Sequence, residues 1–336
     1  MSAIGRPFRF LKHNRGVRAF ILMILLSAAL LAALALTGNS ALLPGAFFIG
    51  AAAGPAGVIV ATQRRTGAFD SVSSGALLTT AVLGGGIALL IGGIFDSIAI
   101  GEAGGSSPRI LYVGPIEEAV KLIAPVAIAV TGRYLTKLSG VALGIASATG
   151  FAVLETMSYG FTALHQNGGG NLLGAELTFI NRGLTDPFGH QVWTGAACAV
   201  MFAVWQRRGR VSFSWSILGI LVTVMGLHSL NDFVEVVTFL PTIVQIPLSL
   251  AIMIIGLVIF LRVTRDLTLP AGARAAGGTS GARTTSEADR TDEIGTEGAA
   301  ASFPGQRGSS GVESTVESAS GASNEPGRSA TRRRPE

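Results

Sequence analysis

Eight stretches of about twenty mostly apolar residues fill the chain up to position 265, and each matches the length a helix needs to cross a hydrocarbon core of about 30 Å. They read as 19–37, 41–62, 76–100, 112–131, 140–161, 184–205, 213–236 and 239–261. With no water in the bilayer core, backbone N–H and C=O groups must pair within the segment, so runs of this length predict helices. The composition agrees, with 49% hydrophobic and 13% charged side chains and a mean hydropathy of +0.54. The expected fold is all-α: a polytopic membrane bundle of about eight transmembrane helices over 19–265. A basic cytoplasmic N-terminus (1–18) precedes it and a disordered cytoplasmic tail (266–336) follows it.

Lys and Arg set the orientation, because short loops rich in them stay cytoplasmic. Arg6, Arg9, Lys12, Arg15 and Arg18, then Arg64 and Arg65, Arg133 and Lys137, Arg207, Arg208 and Arg210, and Arg262 and Arg265 fall on one side if every segment spans. The opposite loops hold chiefly Arg109 and Arg182, so both termini are expected in the cytoplasm of a cell-membrane protein. The small-residue run Ala33-Leu34-Ala35 after a basic start resembles a signal-peptide cleavage site. Its apolar run of about 18 residues exceeds the usual 7 to 15, which favours an uncleaved first helix. From Ala271 to Glu336 the chain turns to Gly, Ser, Thr and Ala with 8 basic and 9 acidic residues, a composition that buries too little apolar surface to fold. The one cysteine, Cys198, lies in an apolar run and reads as a small buried hydrophobe, which leaves out disulfides and thiolate metal clusters. No Gly-rich phosphate loop follows a strand-like run, and no nucleic-acid partner is expected.

An ionisable side chain at the centre of a membrane helix costs about 2.5 to 3.5 kcal/mol, so the few present point to function. The fourth segment holds Glu117, Glu118 and Lys121, the fifth Glu155, the sixth Asp186 and His190, the seventh His228, Asp232 and Glu235, and the third Asp96. At 1.5 Å per residue, Glu117, Glu155, His190 and His228 all fall roughly 7 to 12 Å below the external boundary, although they come from four helices. His228 and Asp232 are four apart and share a face, while Lys121 lies between the directions of Glu117 and Glu118. One acid then has no local counter-charge and needs a proton, a metal or a partner on another helix. Gly114-Pro115 reads as a helix start, where the dipole also favours carboxylates. Asp96, Asp186 and Glu235 lie nearer the boundary and read as interfacial, Trp193 and Trp205 as belt or core packing, and Phe151 as packing beside Glu155.

The residues also resemble a known pattern. The sequences Glu117-Glu118-Ala119-Val120-Lys121, Phe151 to Glu155 (FxxxE), the run HQVWTG from His190 and His228 to Asp232 (HxxxD) look like the PrsW family of intramembrane proteases, in order and on separate helices over residues 110–235. The resemblance implies a membrane peptidase, linked in bacteria to cleavage of single-pass regulators such as anti-sigma factors. The PrsW family is related to CAAX-processing and bacteriocin-protection membrane proteases, and the CAAX-processing pattern carries His where this chain has Glu155. The resemblance leaves both a metallo and a glutamic-type mechanism open.

Peptide hydrolysis needs an activated water, a proton donor for the amine and a stabiliser for the oxyanion. In the metallo version Glu155, His190 and His228 form an O/N/N set of the kind that suits catalytic Zn2+, with Asp232 orienting His228 or ligating directly. A carboxylate of the fourth helix, Glu117 or Glu118, held beside Lys121, is the general base. In the metal-free version one Glu is the base and the histidines hold the oxyanion. The partners are then a single-pass membrane protein, cut near its external face, and the lipid bilayer. Two other classes use such residues. A proton-coupled transporter or channel needs polar groups through the whole bilayer, whereas the inner half of these helices has almost none; a non-catalytic membrane scaffold needs no intact motif set.

Overall fold

The computed structural model describes residues 15–101, 108–166, 170–186, 188–237 and 241–269. The basic stretch before Arg15 and the tail after residue 269 lie outside the described residues, as do the expectations made for them. The described part is helical with no strand among its residues. Six helices are long and apolar enough to cross a membrane on their own: α1 (Arg15–Thr37), α2 (Leu43–Thr66), α3 (Ser74–Ile100), α6 (Lys137–His165), α9 (Trp215–Val236) and α10 (Thr242–Val263).

The other two expected spans take a different form. The fourth is a broken pair, α4 (Val113–Lys121) and α5 (Ile123–Val130), parted at Leu122. Proline explains the break: Pro125 lacks an N–H and its ring crowds the carbonyl four residues earlier, that of Lys121. The freed Lys121 carbonyl accepts a hydrogen bond from Ser147 Oγ at 2.7 Å, so a side chain of α6 replaces the lost backbone donor. The sixth is α8 (Gly189–Arg208), 20 residues long but polar at its start. Asp186, three residues before it, accepts the Gly189 N–H with its Oδ1 at 2.9 Å. A further helix, α7 (Leu172–Thr185), occupies a stretch that the sequence reading treats as an external loop. Asn171 caps it, accepting the Gly174 N–H at 2.9 Å.

Helix α6 is the axis of the bundle: 72% of its most apolar stretch is buried, against 11% for α1. Thr136 starts it with a capping box, its Oγ1 accepting the Ser139 N–H at 3.1 Å while Ser139 Oγ accepts the Thr136 N–H at 3.1 Å. The tightest packing joins α6 to α8 and α1 to α2. Small residues permit the first of these: a Cβ on Gly144 would crowd the Cys198 side chain and the Thr194 carbonyl of α8. Cys198 itself is free and fully buried, as its apolar setting predicts. Large apolar side chains such as Leu22, Leu36, Leu78, Ile98 and Ile243 point outward, as lipid-facing residues do.

On its other side α6 meets a π-helical turn of α3, Thr80–Gly84, at Gly150. A Cβ there would overlap the Ala81 carbonyl oxygen. Gly150→Val is therefore expected to cost about 1–3 kcal/mol or more of stability, read by thermal unfolding in detergent. Gly86→Ala, where a Cβ meets nothing within 4 Å, leaves the transition in place.

Candidate active site

Lys121 is fully buried, and three acceptors surround its ammonium: Glu118 Oε1 at 3.0 Å, Glu117 Oε2 at 3.1 Å and His190 Nδ1 at 2.8 Å. The first two follow from helical spacing, since residues three and four apart share a face. The third comes from α8. The Phe151 ring closes the remaining side, its centroid 4.1 Å from Nζ, so this ring packs on the ammonium. An ammonium has three N–H donors, and all three are used.

This arrangement fixes the tautomer of His190. Its Nδ1 receives the Lys121 proton, so Nε2 carries the ring hydrogen and donates to Glu155 Oε2 at 3.0 Å, with Asp186 Oδ2 at 3.3 Å. Glu155 is held in turn by Arg182 Nη2 at 2.8 Å, and Arg182 Nε donates to Thr156 Oγ1 at 3.2 Å. His228 follows the same plan. Its Nδ1 donates to Glu118 Oε1 at 3.0 Å, and its Nε2 faces Glu117 Oε2 and Asp232 Oδ2, each at 3.5 Å. Glu118 Oε2 accepts from Thr194 Oγ1 at 2.8 Å, so both of its oxygens are engaged. The imidazoles lie 5.0 Å apart between centroids, and Trp193 covers His228 at 4.9 Å.

The structure thus brings together Glu117, Glu118, Lys121, Glu155, His190, His228 and Asp232, the residues that the spacing and the depth argument single out. Their grouping differs from the expected O/N/N set. Donor atoms of Glu117, His190 and His228 converge, all within 4.8 Å of one another, while Glu155 turns to Arg182 and to the outer nitrogen of His190. Lys121 contacts both carboxylates of the pair rather than one. Asp186, read as interfacial, reaches His190, and Trp193 is core against His228 rather than belt. Glu235 accepts from Asn231 Nδ2 at 2.9 Å on its own helix.

Arg182 and Thr194 are the contributors that sequence reading passes over. Arg182 sits on a helix taken for a loop; the available signal was a lone cation beside an unpaired membrane carboxylate. Thr194 is four residues after His190 and shares its face, but a threonine in an apolar run gives no sign of its partner.

The arrangement fits a divalent cation in donor chemistry. His228 gives its Nδ1–H to a carboxylate and turns Nε2 inward, the usual setting of a metal-binding histidine, while His190 gives Nε2–H to Glu155 and its Nδ1 lies against the Lys121 ammonium. Two carboxylate oxygens, Glu117 Oε2 and Asp232 Oδ2, face the inward nitrogen of His228, and buried Asp232 Oδ2 has no hydrogen-bond partner among the described residues. Comparison with known families decides what such a site belongs to: the description "PrsW family intramembrane metalloprotease" matches residues 70–261. The chain belongs to the PrsW family. It is accordingly an intramembrane protease, a multi-pass membrane hydrolase whose substrate is a membrane protein. The match takes in α3 to α9, all but the last two residues of α10 and every site residue named above, and leaves α1 and α2 outside. No curated protein and no solved structure matches the chain.

Thr194→Val keeps the side-chain shape and removes the donor to Glu118. A buried carboxylate oxygen left unpaired costs about 1–3 kcal/mol, so the variant is expected to unfold at lower temperature or denaturant than wild type, and Thr194→Ser to restore most of the loss.

Proposed function

We propose that this PrsW-family protein cuts single-pass membrane proteins of the anti-sigma-factor kind close to their external face, at a Zn2+ site held by Glu117, His190 and His228. The observation that supports the metal is the convergence of ligand atoms of Glu117, His190 and His228 within 4.8 Å of one another, with both imidazoles anchored on carboxylates, His190 on Glu155 and His228 on Glu118. A bound cation of this type polarises a carbonyl and makes water nucleophilic at neutral pH.

The chain's own residues take the remaining roles. Glu118 is a positioning residue: with its oxygens committed to Thr194, Lys121 and His228, it sets the tautomer and direction of His228. Asp232, with one uncommitted oxygen, takes the proton lost by the attacking water and returns it to the departing amine. Lys121 pairs with both Glu117 and Glu118 and places positive charge beside the site, where an oxyanion develops. Arg182 neutralises Glu155, so that Glu155 anchors His190 instead of competing for its ring nitrogen. The bilayer is the cell membrane, with both termini in the cytoplasm; basic residues at the ends of α2, α8 and α10 support that orientation.

A metal-free reading has one observation in its favour: the Lys121 ammonium already holds His190 Nδ1, one of the three inward donors. In that reading Glu117 is the base and the imidazoles bind the oxyanion. Metal analysis separates the two. Protein purified without chelator is expected to carry about one equivalent of zinc, to lose cleavage of a single-pass reporter on chelation and to regain it with added Zn2+. Glu117→Gln and His228→Ala lose both metal and cleavage, and Glu118→Gln weakens metal binding roughly ten- to hundredfold. Full activity in metal-free protein rules out the metal, and full activity in all three variants rules out the site.

A further inference from the structure

A hydrolase inside a bilayer needs a supply of water, and the structure places a small polar chamber directly against His190. The chamber has a volume of about 20 Å3 and lies between α2, α6, α7 and the first turn of α8. Thr156, Arg182, Asp186, His190 and Gln191 form its polar wall, and Gly54 and neighbouring small residues of α2 form its apolar one. About 10–15 Å3 is enough for one water, provided it finds two to four polar partners, and this wall supplies them.

Gln191 is the residue that the catalytic reading does not use. It is 2% exposed, and its Nε2 has no hydrogen-bond partner among the described residues. A buried amide N–H2 without an acceptor costs about 1–3 kcal/mol, so an amide at this position is poorly explained by packing. The other polar groups of the wall are already arranged: Asp186 accepts from Gly189, Arg182 binds Glu155, and His190 Nε2 faces Glu155. Gln191 lines the chamber with an amide whose N–H2 has no acceptor among the described residues, beside the Thr156 hydroxyl, which accepts from Arg182.

We propose that Gln191 holds a water molecule in this chamber, on the Nε2 side of His190, as the store from which the reaction is supplied. The stored water is one imidazole width from the inward donors. When it moves to the scissile carbonyl its oxygen bonds to the carbonyl carbon, the C–N bond breaks, one water proton passes through a site carboxylate to the amine, and the new acid keeps the oxygen. Neither oxidant nor further reactant is required. This inference rests on the catalytic reading of the same cluster.

Two measurements test it. An experimental structure in a lipid nanodisc, at a resolution that shows ordered water, is expected to place one within hydrogen-bond distance of Gln191 Nε2; a lipid tail, a side chain or a protein acceptor there overturns the proposal. In proteoliposomes holding a single-pass reporter that wild type cuts, Gln191→Leu is expected to lower kcat roughly three- to tenfold, the scale of one hydrogen bond, with KM unchanged. Its rate falls more steeply than wild type as an excluded osmolyte lowers water activity, and Gln191→Asn recovers part of the loss. If Gln191→Leu matches wild type in both respects while Glu117→Gln is inactive, the water store is wrong and the site stands. If Glu117→Gln, His228→Ala and Glu118→Gln are also all fully active, the site reading itself is wrong. Should Gln191→Leu not fold, the wild-type structure decides.

Discussion

The buried ammonium of Lys121 is the interaction on which the rest of the site depends. A charge taken out of water costs several kcal/mol even after relaxation, and the protein offsets it with two carboxylates, an imidazole nitrogen and an aromatic face. Each partner then acquires a fixed direction. His190 must present Nδ1 to the ammonium, which sends its Nε2 hydrogen to Glu155. Glu155 in turn needs Arg182, which ties α7 to α6. Glu118 gives its first oxygen to Lys121 and His228 and its second to Thr194, which ties α4 to α9 and α8. Removing one member of such a set leaves an uncompensated buried charge, at about 3–5 kcal/mol, so the network orders the helices as well as the chemistry.

Much of this was legible in the sequence because membrane helices make polar residues rare. Glu117, Glu118 and Lys121 stood out from their apolar surroundings, and the three- and four-residue spacings fixed their shared face. The His228/Asp232 pair followed from the same periodicity, and four ordered motifs pointed to the family that the comparison then established. Depth counting brought Glu155 and His190 to the same level, which the hydrogen bond between them bears out.

What sequence reasoning could not supply was the pairing between helices. Rotation about a helix axis is set by packing, so one-dimensional spacing says that Glu155 and Glu117 are both near the histidines without saying which nitrogen each meets. The assignment of Glu155 depended on Arg182, and Arg182 lay in a segment too polar to look like part of the bundle. The division of the fourth span at Leu122 was signalled by Pro125, but the repair of that break by Ser147 of α6 involves residues 26 apart in sequence and is visible only in three dimensions.

That break has a consequence for how the chain enters the membrane. Helix α5 has eight residues, far too few to cross about 30 Å, and α4 carries three ionisable groups at about 2.5–3.5 kcal/mol each if inserted alone. Neither half can partition into lipid as an autonomous span. The Lys121 carbonyl finds its donor on α6, the ammonium its imidazole on α8, and Glu118 its histidine on α9, all of which are synthesised later. The groups that satisfy this broken span are thus supplied by helices that follow it in the chain, so its stability in the bilayer belongs to the assembled bundle rather than to the segment itself.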